Sequence, residues 1–65
     1  MIITQTGRYI VKESVSVAGS WNWHNLPKGT ILNVTDIFSN GLIRLWSPGV
    51  IISMTTNNLP VEPIE

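Results

Sequence analysis

Cysteine is missing from all 65 residues, so no disulfide and no cysteine-bearing zinc site can staple this fold. For so small a chain the usual remaining device is association. A domain of this length buries only about 60% of the surface its unfolded chain exposes. With 43% apolar residues and 12% charged ones, part of the apolar surface is expected to be covered by a partner or a second copy. The chain has room for one domain, residues 1–65.

Charge is scarce and balanced. Arg8, Lys12, Lys28 and Arg44 stand against Glu13, Asp36, Glu62 and Glu65, a net charge of zero. No basic stripe exists to neutralise several phosphates, which makes nucleic acid a poor partner. Long apolar runs are lacking too: nothing approaches the ~20 residues that span a bilayer. Met1-Ile2-Ile3-Thr4 lacks the basic start and apolar core of a secretory leader. The expectation is a soluble cytoplasmic protein with no membrane partner. Nor does any segment carry an apolar period of 3.6 residues long enough for a helix, and there is no repeat, low-complexity tract or linker. Asn33-Val34-Thr35 fits the glycosylation triplet, which is common by chance.

What the chain does have is two-residue alternation. Tyr9, Val11, Val15 and Val17 fall on one side of an extended segment, Ile10, Lys12, Ser14 and Ser16 on the other. Glu13 interrupts the apolar side, which predicts a bulge or a strand end there. Residues 18–29 are rich in turn formers and hold no period, so they read as a loop. Thr30 to Phe38 is a second strand with Leu32 and Val34 on one face. Asn40-Gly41 then predicts a hairpin, since both residues tolerate the positive φ of a two-residue turn. Leu42 to Ser47 is a third strand, placing Ile43 and Leu45 on one face and Leu42, Arg44 and Trp46 on the other. Ser47-Pro48-Gly49 is a turn, and Val50 to Met54 a fourth strand. Thr55-Thr56-Asn57-Asn58 is too polar to extend it, and at most one 3₁₀ turn is expected there. Leu59-Pro60-Val61 opens a short closing strand that Pro63 confines to an edge.

This order over residues 26–64 resembles an SH3-like barrel. Leu26-Pro27-Lys28-Gly29-Thr30-Ile31-Leu32-Asn33-Val34 resembles that family's entry into its second strand. The resemblance implies an all-β barrel of five or six short antiparallel strands with one 3₁₀ turn. Peptide-binding members line a proline groove with a tyrosine-rich first strand, acids in the first long loop, a tryptophan opening the third strand, and Pro and Tyr at the 3₁₀ turn. Here the first strand offers only Tyr9, the loop has no acid, Leu42 stands at the tryptophan position and the last region reads Thr-Thr-Asn-Asn. Proline-motif recognition is not implied. Bacterial wall-binding modules of this type are usually appended to enzymes, and a chain without a secretion signal fits them badly.

Candidate residues gather in two places. Trp21, Trp23 and His24 put three rings into four positions of a small-residue loop. Trp21 and Trp23 share a side of any extended segment. They form either an aromatic platform for a protein partner, where tryptophan is enriched among hot spots, or a plug in the end of the barrel. A stacked sugar or base is a lesser alternative. His24, the single histidine, has no nucleophile motif or ligand set beside it and reads more plainly as a polar loop residue. Leu42, Arg44 and Trp46 form an outward stripe if Ile43 and Leu45 face the core. That stripe is an interface, or it packs under Ile2-Ile3 or a second copy. No constellation supports catalysis, a metal or a cofactor. The expected function is a non-catalytic protein-binding module, of the accessory or inhibitory kind that phages and mobile elements direct at host proteins. A homo-oligomeric virion or assembly component is the alternative, and a nucleic-acid-binding SH3-like barrel the third.

Overall fold

Alternation along the chain becomes a core in the computed structural model, which describes residues 1–18 and 23–64. The described strands are β1 (Gly7–Val11), β2 (Val15–Ala18), β3 (Trp23–Leu26), β4 (Ile31–Ile37), β5 (Leu42–Ser47), β6 (Val50–Thr56) and β7 (Val61–Pro63). All pair antiparallel, in a five-stranded sheet of order β6-β5-β4-β1-β7 and a two-stranded sheet β2-β3. No helix occurs among the described residues. The all-β class read from the sequence is the class observed.

Burial follows the predicted faces. Tyr9, Val11 and Val17 are buried on one side, joined by Leu32 and Val34 from β4, Ile43 and Leu45 from β5, and Ile52 from β6. Leu26, Leu59, Val61 and Ile3 complete the cluster, with Val15 and Val50 packed at its margin. Ile3, expected with Ile2 to lie over the β5 stripe, is instead fully buried in the core. Its N–H donates to the Asn57 carbonyl at 2.8 Å, and the neighbouring Ile2 bridges Asn58. The strand break at Glu13 is real: β1 ends at Val11 and β2 begins at Val15.

Five expectations need correction. First, the segment 18–29 is not all loop, because β3 pairs with β2 in register Val15↔Leu26 through Ala18↔Trp23. Second, that hairpin raises the strands to seven, above the five or six expected. Third, the barrel does not close: β6 ends one sheet and β2 belongs to another, and the two approach without a ladder. Fourth, β6 runs on through Thr55 and Thr56 in place of a 3₁₀ turn, with Thr55 buried opposite Ile43. A β-bulge makes this tolerable. Between Ile43↔Thr55 and Leu45↔Ile52, β6 carries one more residue than β5, so Ile52 and Thr55 both point inward despite their odd spacing. Fifth, the Asn40-Gly41 hairpin is not a two-residue turn. The Phe38 N–H bonds to the Leu42 carbonyl at 2.8 Å, and only Gly41 has positive φ, at 82°, which is the three-residue loop with a left-handed glycine.

The β5–β6 turn is as read. Ser47 pairs with Val50 across Pro48-Gly49, with proline first and Gly49 at φ 85°. Ser47 is buried, and its hydroxyl donates to the Ile31 carbonyl at 2.9 Å, tying the turn to β4.

Candidate functional site

The five described candidate residues fall on two sheets. Trp23 and His24 lie on β3, opposite Ala18 and Val17, while Leu42, Arg44 and Trp46 lie on β5. Trp21 lies outside the described residues. Trp23 is 72% exposed, so it does not plug the barrel, and His24 is half-buried.

On β5 the predicted division of faces is complete. Ile43 and Leu45 are fully buried, whereas Arg44 is exposed and Trp46 is 44% exposed. Leu42 is half-buried. Arg44 and Trp46, being exposed, do not pack under the N-terminal segment. Arg44 is engaged within the molecule: its guanidinium sits 3.2 Å from an Asp36 carboxylate oxygen and 5.8 Å from the Phe38 ring centroid. The Thr35 hydroxyl donates to the same carboxylate oxygen at 3.1 Å. Both charges are about half exposed, so the pair fixes the arginine's direction more than it stabilises the fold.

Register adds residues that pattern alone passed over. Asn33 of β4 stands opposite Trp46, and Trp46 opposite Ile51 of β6. Residues directly opposite share a face, so Asn33, Trp46 and Ile51 make one row across three strands, with Arg8 of β1 at its far end. Ile51 is 77% exposed and Met54 further along β6 is 51% exposed. The signal for Ile51 was present but ambiguous. In Val50-Ile51-Ile52 three apolar residues stand in succession, and alternation cannot say which one faces water until the hairpin register is known. Asn33, the glycosylation-triplet asparagine, is half-buried in the middle of this sheet, paired on both sides.

Two surface depressions, of about 250 and 390 Å³, lie around Lys12 at the β1–β7 end and contain none of the five described candidates. Among the described residues, no three His, Cys, Asp or Glu side chains come together as a metal site would require. No described helix is long and apolar enough to cross a membrane.

Comparison with known proteins yields no matching family model, curated protein or solved structure. The site therefore rests on its own geometry: an apolar row flanked by a fixed arginine, ending at a sheet edge.

Proposed function

We propose that this chain is a non-catalytic protein-binding module on an SH3-like arrangement of strands, and that its contact surface is the outward face of β5 and β6. The strand order supports the first part. A first hairpin set apart from the main sheet, three sequential antiparallel strands, and a short last strand returning to β1 resemble that architecture. The Trp46–Ile51 row carries the second part, because large apolar side chains exposed side by side mark interaction surfaces. Nucleic acid gains no support: of four basic residues, Lys12 already faces Glu62 at 3.6 Å and Arg44 faces Asp36.

The test is quantitative capture from lysate with immobilised wild type, a Trp46→Ala, Ile51→Lys double variant, and Trp23→Ala. A protein held by wild type and lost by the double variant supports the β5–β6 face, with the Trp46 truncation alone expected to weaken binding by about 2 kcal/mol, roughly thirtyfold. Loss confined to Trp23→Ala would move the surface to the β2–β3 hairpin. Equal recovery by all three would defeat both.

A further inference from the structure

Strand β6 ends the five-stranded sheet, and among the described residues no backbone hydrogen bond outside the β5 ladder reaches residues 50–54. The direction of its free groups follows from the turn. Ser47 and Val50 flank a two-residue loop and exchange the ladder bonds, so the next pair, Trp46↔Ile51, is the non-bonded kind. The Ile51 N–H and C=O therefore point away from β5, toward the open edge. Over Val50–Thr56 there is no charged residue and no proline, the two commonest devices that keep an edge from pairing. Among the described residues, the bulge at Ser53 and Met54 interrupts the edge and β2 approaches β6 without pairing with it, while the first half of the strand stays regular.

We infer that a second copy of this chain is the partner of this edge, joined by antiparallel β6–β6 pairing centred on Ile51. This rests on the reading of the β5–β6 face as a binding surface. An uncharged antiparallel edge is self-complementary about a two-fold axis, since each residue offers one donor and one acceptor in the same plane. Centring the axis on Ile51 satisfies its outward N–H and C=O with those of Ile51 in the second copy. It also sets the two Ile51 side chains next to each other on the outer face. The apolar row then runs unbroken, Trp46–Ile51 in one copy continuing into Ile51–Trp46 of the other. A chain of zero net charge raises no repulsion against this approach. One strand's contact is smaller than the ~1,200 Å² of a standard interface, so the dimer exchanges and is best read by a covalent trap.

The cysteine-free sequence makes the trap clean. Ile51→Cys, Ser39→Cys and Thr6→Cys, all at exposed positions, are treated at micromolar concentration with a short bifunctional thiol reagent. Directly opposed bonded residues lie about 5.5 Å apart between Cα atoms, so Ile51→Cys is expected to cross-link at least tenfold faster than the other two. In sedimentation, the wild-type mass is expected to rise with concentration, and Ile51→Lys to remain monomeric with an unchanged circular dichroism spectrum. Cross-linking of Ile51→Cys no faster than the controls, or a wild type that is monomeric at millimolar concentration, overturns the inference. If that happens while Trp46→Ala, Ile51→Lys still loses a captured protein, the face binds and its partner is not a second copy.

Discussion

The five-stranded sheet ends on one side in the closed edge, β7, three residues guarded by charge and proline, and on the other in the open edge, β6, seven residues that β2 approaches without pairing. Strand β7 carries Glu62 and Pro63, a charge and a residue with no donor, and only Val61 is buried. Its neighbours hold it: the Lys12 N–H donates to the Pro60 carbonyl at 2.8 Å and the Ile64 N–H to the Arg8 carbonyl at 2.9 Å. Strand β6 has neither device over its length and shows Ile51 to solvent. Brevity, charge and proline are how sheets refuse further pairing. The contrast teaches that the two edges do different work. One is held to its neighbours by flanking backbone hydrogen bonds, and the other is the edge for which we propose association.

The largest effect should come from loosening the closed edge. Leu59 is buried just before β7, and Leu59→Ala should cost about 2–5 kcal/mol in a domain whose whole stability is of the order of 3–10 kcal/mol. Ile51→Ala, on the open edge, should change stability by no more than about 0.5 kcal/mol. Denaturant midpoints for the pair decide it, and similar losses would mean that β6's outer side is buried in the folded state.

Next in size is the turn that presents the open edge. Gly49 sits at φ 85° with nothing within 4 Å of an added Cβ, so Gly49→Val isolates backbone strain from crowding. A β-branched residue at that φ should cost about 1–3 kcal/mol. Gly41→Val, at φ 82° in the other hairpin, should cost a similar amount. An unchanged midpoint in either would contradict the turn.

Much of this was legible because its signals are local. Ile43 and Leu45 inward, Arg44 and Trp46 outward, and Pro63 on an edge all follow from alternation and from proline's missing donor. What escaped depends on pairing. Strand β3 reads Trp-His-Asn-Leu with only Leu26 buried, so it exists as a strand through its register with β2 and not through its own pattern. Thr55 looked too polar for a strand, but the bulge turns it inward opposite Ile43. Ile51 became a site residue only when the turn fixed it opposite Trp46. The half of the site on β5 was readable, and the half on β6 needed the fold.

Ile51→Lys sharpens the comparison with a smaller thermodynamic change. If the open edge associates, the wild-type melting temperature should rise with protein concentration by mass action, while that of Ile51→Lys should not. At dilution, where both are monomers, their melting temperatures should agree within the ~0.5 kcal/mol expected of a surface change. A concentration-independent wild type would leave β6 open without a use for it in self-association.

The smallest effect concerns the charge on the closed edge. Lys12 and Glu62 meet at 3.6 Å with both side chains more than half exposed, so water and salt screen them and the pair contributes at most a few tenths of a kcal/mol. Glu62→Gln should therefore barely move the denaturant midpoint. A charge and a proline on β7 are expected to discourage a neighbouring strand. Replacing both, Glu62→Val with Pro63→Val, should leave the monomer's stability within about 0.5 kcal/mol and yet create a second edge able to pair. Sedimentation should then show species larger than dimers, because an object with two open edges grows into chains where one with a single edge stops at a pair. If the double variant assembles no further than wild type, the short length of β7 alone closes that edge, and the glutamate and proline are not what separates it from β6.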